Sequence, residues 1–262
     1  MNADHVAYGC RQAPGREFMS FSQKGRKLRT QVRAIAVAAC VLCTGFENPF
    51  GADLARSFEL IALQNEYGDR HWMPVRKWVT PVLIFLDSRA GLKDIQLELV
   101  SAHVARLRQI TGHEIELTDD RGMANVVVVF EREALLRALV DELLPGKNFT
   151  DEFLNSSICF ANFNVNRRHE IRNAVVIIPT DRARAYAKLP ACVVEELTQI
   201  MGLINDSVEV YPSIFNDASI DDELSEHDIN LLKILYNPRI RPGMTRSEVM
   251  PIVRELAAEF QR

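Results

Sequence analysis

The stretch Ala124-Asn-Val-Val-Val-Val-Phe130 holds five consecutive β-branched or aromatic residues. Side chains branched at Cβ suit a pleated, packed surface better than a helix, so this run is a strand and the chain must build a sheet around it. A second apolar run, Val82-Leu-Ile-Phe-Leu86, is entered through Pro74, Trp78 and Pro81 and left through Asp87-Ser-Arg-Ala-Gly91, which predicts a buried strand. Between the two, apolar residues at Leu92, Ile95, Leu99, Val100, Val104, Leu107 and Ile110 keep helical spacing up to Gly112. His113 to Thr118 then alternates Ile115 and Leu117 with acids, as a strand does.

Further along, Glu131 to Leu144 predicts a helix stopped by Pro145-Gly146, and residues 147–156 read as a polar loop. Ile158–Phe163 and Asn173–Ile178 predict two strands joined by the basic turn Arg167-Arg-His-Glu-Ile-Arg172. Asp181 to Cys192 leads into a helix through Val194–Gly202. Ser225-x-x-Asp228 starts another helix to Tyr236, although Asp is a poorer capping-box partner than Glu or Gln. Thr245-x-x-Glu248 opens a last helix to Phe260, with Pro251 inside it. The expected class is α+β: a mixed sheet with packed helices, forming one globular domain over residues 52–262.

Residues 1–51 differ in character. They carry seven Lys/Arg against three acids, whereas the remainder has 24 basic and 32 acidic residues. Lys24-Gly-Arg-Lys-Leu-Arg29 and Arg33 precede a charge-free run from Ala34 to Phe46. Two readings are open for that run, a secretory signal and a buried core helix. The charge asymmetry favours the signal, because export needs it and a core helix does not. Residues 1–51 are therefore expected to be a targeting segment, starting at Met1 or Met19, for a periplasmic or secreted protein with no integral membrane span in its mature form. Lipidation at Cys40, in Val37-Ala-Ala-Cys40, ranks second. The acidic body repels phosphates, which argues against nucleic-acid binding.

The chemistry-bearing stretch is Glu195-Glu-Leu-Thr-Gln199-Ile-Met-Gly202-Leu-Ile-Asn205-Asp206. Val193, Leu197, Ile200 and Met201 share one apolar helical face, and Glu195 and Gln199 lie one turn apart on another. Gly202 permits the sharp turn that ends a helix, after which Asn205 can fold back toward that pair. This spacing resembles the metzincin zinc-peptidase motif His-Glu-x-x-His-x-x-Gly-x-x-His-Asp. The resemblance implies that Glu195, Gln199 and Asn205 stand at the three ligand positions. It puts Glu196 at the general-base position, with Gly202 and Asp206 at the turn and the residue after the last ligand. No histidine remains. Leu224-Ser-Glu-His-Asp-Ile229 is similar to the closing helix of matrix-type metzincins, and the order of elements over residues 75–237 agrees with theirs. Those peptidases place a Met beneath the metal, whereas Tyr211-Pro-Ser-Ile-Phe215 has none.

The runs Glu-Glu-Leu-Thr-Gln, Gly-Leu-Ile-Asn-Asp, Pro-Ser-Ile-Phe-Asn-Asp and Arg-Pro-Gly-Met also resemble an uncharacterised exported bacterial family, the domain of unknown function 2927. That likeness covers most of residues 56–259 and implies a zincin-like fold with no established activity. One carboxylate and two amides make a weak metal site, so the expectation is no cofactor or at most a weakly bound divalent cation. Glu196 would be catalytic only if a metal activated water for it. The expected function is a non-catalytic binding or structural module with a degenerate cleft, whose partner is a cell-envelope protein or polymer. The alternative is a metal-dependent hydrolase with a non-histidine site. Against both stands the bland reading, a solvated polar face on an amphipathic helix.

Cys159 and Cys192 are the thiols of the folded region, and in an oxidising compartment a disulfide is the default for such a pair. His103, His113, His169 and His227 have no partner at metal-ligand spacing and read as ordinary core or surface histidines. Arg167, Arg168 and Arg172 read as a solvated hairpin tip, or else as a contact for an anionic polymer.

Overall fold

The computed structural model describes residues 7–11, 53–64, 72–216 and 218–260. The expected signal run, the basic cluster before it and Cys40 lie outside the described residues. In chain order the elements are β1 (Ala7–Arg11), α1 (Leu54–Leu63), β2 (Val82–Ser88), α2 (Lys93–Thr111), β3 (Ile115–Leu117), β4 (Val126–Glu131), α3 (Leu136–Leu143), α4 (Asp151–Ser156), β5 (Ser157–Val165), β6 (Ile171–Pro179), α5 (Thr180–Ala185), α6 (Leu189–Gln199), α7 (Glu226–Leu235) and α8 (Arg246–Phe260). The fold is α+β, with one mixed sheet and packed helices.

Five strands of the folded region lie in the order β3-β2-β4-β6-β5, and β1 adds a sixth along the outer edge of β5. Strands β3, β2, β4 and β6 run parallel to one another, whereas β5 is antiparallel to β6 because a short hairpin joins them. In the middle of the sheet β4 is buried on both faces, which explains its unbroken β-branched run. Val126, Val128 and Phe130 face the main core, which α1, α6 and α7 also enter. Val127 and Val129 face a smaller core with Leu136, Leu139, Phe149 and Phe160.

Most sequence boundaries hold to within a residue or two. Gly112 ends α2 in the left-handed conformation (φ +64°), donating to Arg108 O. Ser225 and Asp228 form a full capping box on α7 in spite of the shorter acid. Four departures stand out. The helix expected from Glu131 to Leu144 begins only at Leu136, because β4 runs on through Glu131 and a single tight turn spans Glu133–Leu135. Helix α1 has no counterpart in the sequence reading. The loop expected over 147–156 contains α4, seeded by Thr150, whose hydroxyl accepts from Phe153 N–H. The motif helix stops at Gln199 rather than Gly202, because Ile200 to Gly202 tighten into a turn.

Among the described residues no helix is long and apolar enough to cross a membrane. The Arg167–Arg172 turn is partly neutralised from within: Glu170 pairs with Arg168 at 3.1 Å and lies 4.0 Å from Arg172.

Candidate functional site

Helix α6 is fixed at both ends. Near its start Cys192 forms a disulfide with Cys159 of β5, as the sequence suggested, with the two Cα atoms 5.9 Å apart. At its end the released carbonyls are taken by two aromatic donors, the buried Trp78 and the half-buried Tyr236. Trp78 Nε1 donates to Ile200 O at 2.8 Å, and Tyr236 Oη donates to Met201 O at 3.0 Å. Burial raises the Tyr236 phenol well above its ordinary value, so it stays a donor. The neighbouring Lys77 ammonium, pushed down to about 8 by desolvation, donates to Leu235 O and Ile240 O at 2.9 Å each and steadies the end of α7.

Gly202 is required twice over. Its φ is +115°, and a Cβ placed there would lie 2.1 Å from the backbone oxygen of Arg76. The segment carrying Trp78 thus crosses directly over the turn that ends α6, with no room for a side chain between them.

The polar positions of the motif are not solvated. Glu195 and Asn205 are 5% exposed, and Glu196 and Gln199 are fully buried. A helix buried nearly all round cannot be a plain amphipathic surface helix, so the solvated-face reading fails. Gln199 and Asp206 are brought together: Gln199 Nε2 donates to Asp206 Oδ1 at 3.0 Å. The Asn205 side chain instead serves α1, donating from Nδ2 to Leu60 O at 3.0 Å. The backbone N–H groups of Ile204 and Asn205 both reach Ile61 O at 3.1 Å. Glu195 lies against a narrow recess shared with Lys188, Ile214, Asn216, Ser219 and Asp221. The hydrogen bonding of the motif residues therefore links α6, α1 and the segment after Gly202. Gln199 pairs with the acid that follows Asn205 rather than with Asn205 itself.

Three further polar groups support this region. His103, on α2, is buried with Nε2 3.0 Å from Thr198 Oγ1. Thr198 Oγ1 donates to Val194 O, so the imidazole must be the donor in the first bond. Desolvation, helped by the Arg106 charge, lowers this histidine to about 3. Asp228 is fully buried and accepts from Ser213 Oγ, Ile214 N, Ser225 N and Ser225 Oγ. Burial raises its carboxyl above the usual range despite these donors. His227, beside it, is held low by desolvation. His113 bonds to Thr80 O at 2.9 Å and packs against the Tyr236 ring at a tilt, and His169 sits in the β5–β6 turn at φ +60°. Sequence reasoning did not find the His103–Thr198 pair, since nothing local links positions 95 residues apart.

Among the described residues no group of three or more His, Cys, Asp or Glu is arranged to hold a metal. No curated protein matches the chain. A family model described as a protein of unknown function, DUF2927, matches residues 51–255, the span that holds the sheet from β2 to β6, the motif helix and the closing helices, and the chain belongs to that family.

Proposed function

We propose that this protein is a non-catalytic binding or structural module, exported to the periplasm or cell exterior, that keeps a metzincin-like cleft without its metal on a zincin-like fold. The observation carrying this reading is that the amides standing where the motif calls for histidine are used internally. Gln199 holds Asp206, and Asn205 holds the C-terminal turn of α1. Such a donor set does not fit zinc, which takes imidazole nitrogen, thiolate or carboxylate. Amide carbonyls suit harder cations, and Asn205 spends its amide nitrogen on a backbone oxygen. The zincin-like assignment is supported by the element order and by the close crossing at Gly202. Export is supported by the disulfide, which suits an oxidising compartment.

One observation favours a second reading, a metal-dependent hydrolase with Glu195 as anchor ligand and Glu196 as base. Gln199 Oε1 is buried with no hydrogen-bond partner among the described residues, and a hard divalent cation would satisfy it. Metal analysis and incubation with unstructured peptides separate the two. The module reading expects no stoichiometric metal and intact peptides. One tightly held metal per chain, with hydrolysis abolished by Glu196→Gln, would overturn it.

A further inference from the structure

The two edges of the sheet are built differently. The β3 edge is three residues long and carries Glu116. At the other side β5 is nine residues, Ser157-Ile-Cys-Phe-Ala-Asn-Phe-Asn-Val165, with no charged residue and no proline. Edge strands exposed to solvent are normally shortened, charged or interrupted by proline, because their unpaired N–H and C=O groups recruit other chains. A long, neutral edge, irregular only near its end at Asn164–Val165, lacks each of those safeguards and is suited to being covered. It is also held still: β5 is covalently tied to α6 through Cys159 and paired along its inner side with β6.

The chain covers this edge with β1. Ala7 pairs with Asn162, Tyr8 with Ala161, Gly9 with Phe160 and Arg11 with Ser157, antiparallel, with an irregularity between Gly9 and Arg11. Strand β1 also touches α6, so the added strand lies against the helix that carries Glu195 and Glu196. Residues 12–156 separate β1 from its partner β5, so the pairing is long-range and not part of a hairpin. The strand comes from the very segment whose composition marks it as a targeting sequence, and proteolysis after that segment would leave the β5 edge without its cover.

We infer that the outer edge of β5 is a strand-acceptor site, and that in the processed protein it takes an extended polypeptide segment of a partner by antiparallel β-addition. In such recognition, affinity comes from main-chain hydrogen bonds and selectivity from alternate side chains. The register with β1 defines the occupant as an extended segment, antiparallel to β5 from Asn162 to Ser157, with a glycine opposite Phe160. This rests on the binding-module reading and names its partner class.

The test uses the full chain and a synthetic peptide of residues 5–13, with serine replacing Cys10 to prevent thiol exchange. Successive strand residues point their N–H groups to opposite sides, so one of Tyr8 and Gly9 donates to β5, and Tyr8→Pro with Gly9→Pro removes that donor whichever it is. Hydrogen exchange is read at the β5 amides directed away from β6, together with peptide binding by fluorescence anisotropy. The expected result is at least tenfold faster exchange at those amides in the double variant. It should bind the peptide at least tenfold more tightly than the parent chain, whose own strand competes. A peptide N-methylated at alternate residues should not bind. Unchanged exchange, or faster exchange with no peptide binding by a variant whose thermal melt is intact, would overturn the inference. Recovered peptide is then weighed by mass spectrometry. A bound and cleaved peptide would sink the non-catalytic reading while supporting strand acceptance, whereas an intact but unbound peptide would sink only strand acceptance.

Discussion

The buried imidazole of His103 should make the fold acid-labile by an amount that can be worked out in advance. Its ordinary value is 6.5 and its folded value is about 3, the depression coming first from desolvation and second from Arg106. As the pH falls below 6.5 the unfolded chain takes up a proton on this ring, while the folded chain does not until the pH nears 3. Stability contributed by this group is therefore complete above pH 6.5 and is lost progressively across that window. Integrating between pH 7 and pH 5 gives a loss of about 2 kcal/mol from this one side chain. Other groups add their own slopes: His113 and His227 are also held low by burial and act in the same direction, whereas Asp228 is held high and opposes them. The comparison must therefore be a difference between two chains. His103→Gln keeps a side-chain donor for Thr198 but cannot titrate, at a cost of about 1 kcal/mol at neutral pH. Urea unfolding at pH 7 and pH 5, at constant ionic strength, should show the parent losing about 2 kcal/mol more than the variant. Equal losses in the two chains would refute the reasoning, as would a ring resonance titrating near 6.5 in the folded protein.

Replacing Gly202 by alanine sets a Cβ against Arg76 O at a positive φ, so it should cost at least about 3 kcal/mol in a thermal or urea melt. A cost under 1 kcal/mol would mean that the crossing segment gives way. Cys159 and Cys192, 33 residues apart, should resist alkylation until reduced, and replacing both with serine should destabilise by about 3 to 4 kcal/mol from the freed loop alone. Ready labelling of either thiol in the folded protein would contradict this. Asp228→Ala removes a carboxylate that accepts from four donors, leaving the Ser213 and Ser225 hydroxyls and the Ile214 and Ser225 N–H groups without that acceptor while the Ser225 cap itself stays, and should lower stability by about 3 kcal/mol in urea titration.

Much of the fold was legible because its signals are local. The β-branched run of β4, the helical spacing of α2 up to Gly112 and the capping pairs at Ser225 and Thr245 each act within a few residues. Helix α4 was not legible for the opposite reason. Six residues with one fully buried side chain, Leu154, give no periodicity to read, and the helix depends on the Thr150 cap and on Phe149 and Phe153 packing against Phe160 of β5. Sheet order was likewise hidden, since nothing in the run of β6 says that it lies between β4 and β5.

At the candidate site the spacing was legible and the environment was not. Glu195 and Gln199 sit at positions that a helical wheel assigns to the face opposite Leu197, with Glu196 on the flank of the apolar face, and polar side chains there imply water. They are buried because their cover comes from elsewhere in the chain: the Arg76 backbone over Gly202, α1 under Asn205, and the segment from Ile214 to Asp221 beside Glu195. That cover changes what the motif can do. Burying a polar side chain costs stability unless its hydrogen bonds are made, so a buried set of this kind is held either by the structure it completes or by a ligand that completes it. Asn205 belongs to the first class, since its amide secures Leu60. Gln199 is divided, with its nitrogen on Asp206 and its oxygen without a hydrogen-bond partner among the described residues. The side chain that most directly separates a structural relic from a working site is therefore Gln199 rather than either glutamate. Replacing it by an apolar group of similar size would cost only its bond to Asp206 in a relic, and would abolish cation binding in a metal site.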